Sequence, residues 1–230
     1  KRFSYYKKKN GGAGNARNYG IEKSQGEYIL PLDSDDLIGD GYLEKAVAQF
    51  QQNDKLKIVY SEANKIGEEA GKWNLPAYSY PLFLVYNMIF NSSMYKRIDF
   101  DNVGGYDENN MHEDWDLWIK ILKNGGEVFQ IPETMYYYRT HKKGSVTTLL
   151  DQNRDLYKNS MDQLFKNHID EYLKSFVVDL APSIAAKASR VTGLQYHPED
   201  LERKIQDVSI NTLNEIIDNS LTELYYVYKG

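Results

Sequence analysis

Tyr28-Ile29-Leu30-Pro31-Leu32-Asp33-Ser34-Asp35-Asp36 decides how this chain is read. A run of β-prone apolar residues ends in three carboxylates within four positions, so a strand emerges at a charged mouth. In open α/β sheets ligands bind outside the carboxyl ends of strands, which places Asp33 and Asp35 beside a crevice. Two carboxylates two residues apart can aim hard oxygen ligands at one divalent cation, and such a cation clamps a diphosphate. The simpler alternative is a helix cap, since Asp favours the N-cap and first turn ahead of the helix expected near residues 40–52. One aspartate satisfies a cap; three leave a like-charge repulsion that a cation would relieve.

Upstream, Asn10-Gly11-Gly12-Ala13-Gly14-Asn15-Ala16-Arg17-Asn18 lies between a predicted strand, Phe3–Tyr6, and a helix running to about Ser24. Gly11 and Gly12 let the backbone approach a ligand. The helix N-terminus then offers unpaired N–H groups to an anion, with Arg17 one turn inside. A tight strand-to-helix turn needs glycines in any case.

Working outward, strand-like runs at Tyr28–Leu32, Ile58–Ser61 and Met135–Tyr138 alternate with helical stripes. Leu43, Ala46, Val47 and Phe50 share one helical face, and Trp115, Trp118, Ile119 and Leu122 share another. This is the pattern of an α/β layered sheet up to about Thr148. Beyond it, Ile169, Tyr172, Leu173, Phe176, Val177 and Leu180, then Leu213, Ile216, Ile217, Leu221 and Leu224, repeat at helical spacing, with breaks at Pro182 and residues 193–198. The expected organisation is therefore a domain over residues 1–148 and a helical extension over 149–230.

The chain has 230 residues, 41% of them hydrophobic, and can bury a substantial core. It has no cysteine, which excludes disulfides, thiolate metal sites and a cysteine nucleophile. A reducing, cytoplasmic address is the matching expectation. No apolar stretch reaches the roughly 18–20 residues that span a bilayer. Residues 1–32 carry seven Lys/Arg against two Glu, a net +5, so with −5 overall the remainder sums to −10. That acidic balance argues against a nucleic-acid partner. The lysines at 7–9 alone read as an ordinary solvated run.

Taken together, Asn-Gly-Gly-x-x-x-Ala-Arg-Asn followed by Gly-Glu-Tyr-Ile-x-x-Leu-Asp-Ser-Asp-Asp resembles the family-2 glycosyltransferases. Two further motifs continue the likeness. Val103-Gly104-Gly105-Tyr106-Asp107-Glu108 with His112-Glu113-Asp114-Trp115-Asp116-Leu117-Trp118 is similar to the family's glycine turn and Glu-Asp helix. Tyr136-Tyr137-Tyr138-Arg139-Thr140-His141-Lys142-Lys143-Gly144-Ser145 resembles its Tyr-Arg-x-His-x-x-Ser loop.

The resemblance implies a GT-A nucleotide-diphospho-sugar transferase fold, a mixed central sheet flanked by helices with a helical C-terminal extension. It implies an inverting transferase that moves a sugar from a nucleotide diphosphate, a UDP-sugar by expectation, to a saccharide or lipid-linked acceptor in cell-surface polysaccharide synthesis. A manganese or magnesium ion would be held by Asp35 and His141, with Asp33 on the ribose or the metal. Arg17, Gly11 and Gly12 would contact the nucleotide, and Trp115 and Arg139 would line the substrate site. Asp114 would be the general base, with Glu113 beside it raising its proton affinity or organising the acceptor site.

Each role has a plainer counterpart. Glu113 and Asp116 also suit a helix N-terminus, the loop histidine also suits an ordinary surface, and Trp115 and Trp118 also suit a core. Family-2 domains usually open with a further strand and an Asp-Asp-Gly-Ser run. No aspartate precedes Asp33. The expectation is therefore that a segment is missing before Lys1, leaving donor binding weak and a sheet edge open to pairing as a homodimer. Peripheral association with the inner membrane face is the remaining partner expectation. Two other readings use the same residues, a metal-dependent nucleotidyltransferase and a catalytically incomplete domain serving as an assembly module.

Overall fold

The computed structural model describes residues 3–142, 149–150 and 152–175. The chain divides into two compact units, Lys1–Tyr78 with Asn87–Asn167, and Ser79–Tyr86 with His168–Gly230. The domain boundary expected near Thr148, the breaks at Pro182 and 193–198, and the stripe beginning at Leu213 lie outside the described residues, as do Lys143, Gly144 and Ser145.

The first unit is built on a six-stranded mixed sheet in the order β1-β5-β3-β6-β2, with β4 paired to β3. The strands are β1 (Tyr28–Ile29), β2 (Leu37–Ile38), β3 (Leu56–Gly67), β4 (Gly71–Trp73), β5 (Met94–Lys96) and β6 (Glu127–Thr140). Long β3 and β6 run parallel through the centre, and the β1–β5, β3–β5, β3–β4 and β2–β6 pairs are antiparallel. The ladder register slips between Ser61 and Ala63, an irregularity that re-aims the far halves of both long strands.

Helices cover the sheet on both sides. On one side α2 (Tyr42–Gln52) packs Tyr42, Ala46 and Phe50 against Leu56, Val59, Met94, Ile131 and Met135. On the other side α5 (Glu113–Leu122) buries Trp118, whose ring meets Tyr95 edge-on at 5.2 Å between centroids. Met94 and Tyr95 are adjacent and point to opposite faces, as a strand requires. Helix α1 (Ala13–Glu22) and the shorter α4 (Arg97–Asn102) flank this layer. Arg97 caps α1, its Nε donating to the Gly26 carbonyl at 2.6 Å and an Nη to that of Ile21 at 3.1 Å, a cation on the orphan carbonyls of a helix end.

The last helix of this unit, α6 (Arg154–Asn167), is tied down by Asn167 Nδ2, which donates to Asp107 at 3.1 Å and to Asp116 at 3.0 Å. In the second unit α3 (Tyr80–Val85) and α7 (Ile169–Ser175) are linked by the Tyr80 hydroxyl, which donates to Glu171 at 2.8 Å.

Three local expectations are corrected. Phe3–Tyr6 forms no strand, and Phe3, Tyr5 and Tyr6 are exposed; without a ladder partner, β-propensity alone does not hold a strand. The strand expected over Tyr28–Leu32 stops at Ile29, because Pro31 has no N–H to donate. Leu43 is exposed, and the buried stripe of α2 is Tyr42, Ala46 and Phe50, with Val47 partly buried beside it, so Tyr42 takes the place expected of Leu43.

Gly105 has a left-handed φ of 77°, and a Cβ there would lie 2.9 Å from Phe100 Cζ and 2.9 Å from Asn18 Oδ1. Gly105→Ala is expected to destabilise the fold by about 1–3 kcal/mol, measured by urea denaturation. An unchanged midpoint would show that this turn relaxes freely.

Candidate active site

The acidic loop after β1 is folded back on β6 by its third aspartate. Asp36 is buried; it accepts the Tyr136 hydroxyl and, at 2.7 Å, the backbone N–H of Arg139. Burial raises its pKa, and the two hydrogen bonds pull it back. Arg139 closes the clasp, its Nε donating to the Asp35 carbonyl at 2.8 Å. Thus Arg139 holds the loop through the backbone. The helix-cap reading of this cluster does not hold. Strand β2 intervenes, and the N-cap of α2 is Gly41, in the left-handed region.

With the loop so clasped, Asp35 points outward and meets His141 from the end of β6, Oδ2 to Nε2 at 2.8 Å. Their side chains are 46% and 38% exposed. Among the described residues no three such side chains converge. One carboxylate and one imidazole fit a divalent cation that completes its shell with water and diphosphate oxygens, and the mixed N/O set suits manganese better than magnesium.

Asp33 faces away from that pair. Both its oxygens accept from one terminal nitrogen of Arg17, at 2.9 and 3.2 Å, while the other terminal nitrogen of Arg17 donates to Glu113. The guanidinium also lies over the Tyr106 ring, 5.7 Å from its centroid. Burial works against its charge, and Asp33 and Glu113 outweigh it, so the pKa of Arg17 is raised.

This reach depends on helices α1 and α5 lying close. Gly14 is where they touch. A Cβ there would be 3.1 Å from the Asp107 carbonyl and 3.5 Å from Glu113 Cβ. Asn18 completes the contact, exchanging hydrogen bonds of 3.0 Å with the carbonyl and N–H of Tyr106. Gly12, at φ 89°, is the N-cap of α1, and both Gly11 and Gly12 are exposed.

Asp114 sits in the first turn of α5, half-buried, accepting the Trp115 N–H at 2.7 Å. Burial, then the neighbouring Glu113 charge, pushes its pKa up to about 7, against the pull of Arg17. A carboxyl poised there can take a proton near neutral pH. Asp116 is a structural group, buried against Lys120 at 2.9 Å and Asn167. Trp115 and Trp118 are 5% and 0% exposed, and Trp118 Nε1 donates to the Ile89 carbonyl at 3.1 Å; both rings belong to the core, which leaves little of Trp115 for a sugar. His112, just outside the helix, has its pKa pushed down to about 4 by burial.

The mixed sheet flanked by helices is of the GT-A type of nucleotide-sugar transferase fold. Solved structures agree in fold. The S. aureus protein TarS (1-349) in complex with UDP-GlcNAc superposes with a TM-score of 0.58 at 17% identity, over 79% of this chain and 54% of that one. Mannosyltransferase PcManGT of Pyrobaculum calidifontis, in complex with GDP-Man and Mn2+, gives 0.51 at 15% identity, over 94% and 64%.

Residues 1–111 match the family model for glycosyl transferase family 2. An uncharacterised glycosyltransferase of Rickettsia typhi is 29% identical over 166 residues, covering 66% of this chain and 51% of its own. The minor teichoic acid biosynthesis protein GgaB of Bacillus subtilis is 30% identical over 151 residues, 61% of this chain and 17% of its own. The chain thus spans about half the length of the first of these relatives.

Two outcomes test this geometry. Asp36→Ala removes the acceptor of the Tyr136 hydroxyl and of the part-buried Arg139 N–H and is expected to cost about 1–3 kcal/mol, read by chemical denaturation; a loss under about 0.5 kcal/mol, the size of a surface substitution, would mean that Asp36 is no clasp. For Asp114, a raised folded pKa favours folding while the group is protonated, and that advantage is lost as pH rises through about 7. Asp114→Asn should therefore melt above the parent at pH 8, the gap closing toward pH 4. A gap independent of pH would contradict the raised pKa.

Proposed function

We propose that this chain is the catalytic part of an inverting glycosyltransferase that moves a sugar from a nucleotide diphosphate to a hydroxyl acceptor. The observation that carries the proposal is Asp114, a half-buried carboxyl with its pKa near 7, across the Arg17 bridge from the Asp33–Asp35 loop. Asp114 accepts the proton of the acceptor hydroxyl as that oxygen bonds to the anomeric carbon. The bond from that carbon to the diphosphate oxygen breaks on the opposite face, and the diphosphate leaves with the electron pair. Asp35 and His141 would hold a divalent cation, which when bound would supply charge neutralisation for the departing diphosphate. Asp33, fixed by Arg17, would take the ribose, and the exposed Gly11–Gly12 turn would take phosphate beside the α1 N-terminus.

A UDP-sugar is the donor we favour, in line with the UDP-GlcNAc bound by the fold neighbour TarS. The acceptor is a saccharide or lipid-linked glycan of cell-surface polysaccharide synthesis, in line with the teichoic acid biosynthesis role of GgaB. No described helix is long and apolar enough to cross a membrane. Work at the cytoplasmic face of the membrane, by peripheral association, is the matching location.

Asp114→Asn should bind donor as the parent does while kcat for transfer falls about 10²–10⁴-fold. Asp35→Ala should instead abolish manganese-dependent donor binding by calorimetry. Near-parental transfer by the first variant would displace the base, and unchanged metal-dependent affinity in the second would remove the metal assignment.

A further inference from the structure

Arg17 belongs to the motif expected to contact the nucleotide, yet both of its terminal nitrogens are taken by protein carboxylates. One bonds both oxygens of Asp33 on the donor-side loop, and the other bonds Glu113 on the acceptor-side helix. Its side chain is 13% exposed, as is that of Glu113. The Tyr106 ring backs it, and Gly14, one turn earlier, brings its helix within contact of α5. A two-pronged, always charged guanidinium suits this position, since an ammonium is a single point charge.

We infer that Arg17 is a positioning residue that couples the two halves of the site, fixing Glu113 and supplying the positive charge against which Asp114 ionises. The inference rests on Asp114 being the base. The charged and titratable groups around Asp114 are Glu113 on its own helix, Arg17 from α1, Asp33 from the acidic loop and Tyr106 from the glycine turn. His112, two residues away, is neutral at pH 7 because burial lowers its pKa to about 4. Arg17 is therefore the one cation in this set. It offsets Glu113 and Asp33 together, and a donor diphosphate arriving near Asp33 adds to the negative charge that Arg17 must balance.

The two sides of the bridge can be separated by the sign of their effects. Arg17→Met removes the cation, so Asp114 should hold its proton to higher pH; Glu113→Gln removes the adjacent anion, so Asp114 should release it at lower pH. Carboxyl carbon NMR titration of the full chain reads this without any turnover. The expected outcome is displacement in opposite directions, by about one unit or more for Arg17→Met. In the transfer assay the acid limb of kcat should move the same way. Arg17→Lys should keep that limb close to the parent's while kcat falls, because charge survives and the fork does not. A fold-only role for Arg17 leaves the titration where it is, so coincident Asp114 titrations in parent and Arg17→Met overturn the inference. Should Arg17→Met not fold, Arg17→Gln takes its place, and an Asp114 titration unmoved there overturns it. A parent with no sugar transfer but the opposed titrations would defeat the functional reading and leave the inference standing.

Discussion

Like charges crowded at the end of a sheet must be held apart or neutralised, and the architecture of this domain follows from how that is done. Asp33, Asp35, Asp36, Glu113 and Asp114 all come to one end of the layered unit. Arg17 takes Asp33 and Glu113, Tyr136 and the Arg139 N–H take Asp36, and His141 meets Asp35. Asp114 is left with burial and the neighbouring Glu113 charge, against the pull of Arg17, and its proton affinity rises in consequence.

These neutralising contacts also define what is rigid. Asp36 clasps the acidic loop to β6, the longest strand, and so fixes how Asp35 meets His141. Arg17 spans from the same loop to α5. Both depend on close backbone approach elsewhere: Gly14 lets α1 touch α5, and Gly105 lets its turn fit against Asn18 and Phe100. The catalytic reading thus relies on groups that never meet substrate, as expected for a site whose chemistry depends on placement.

Much of this was legible in sequence, and the failures have physical causes. The α/β alternation follows from the order of strand and helix patterns, whereas the mixed sheet and the meeting of Asp35 with His141 were what the family resemblance implied. Asp36 was given no role of its own beside Asp33 and Asp35, because sequence does not say which side of a strand end faces inward; the tyrosine run at 136–138 was the available signal. Arg17 was read as a ligand contact, since a cation inside a glycine-rich helix start suits an anion equally well whether that anion is substrate or side chain. The strand expected at Phe3–Tyr6 had propensity but no partner. Trp115 fell on the apolar stripe of its helix, and burial of that stripe decided its role.

The central claim is that this carboxylate constellation performs sugar transfer with inversion at the anomeric carbon. Proton NMR of the product formed by the full chain from an α-linked UDP-sugar and an acceptor glycan tests it most directly. The account predicts a β-linked product whose anomeric proton is absent when Asp114→Asn replaces the parent. An α-linked product, or release of pyrophosphate without a new glycosidic bond, would contradict it.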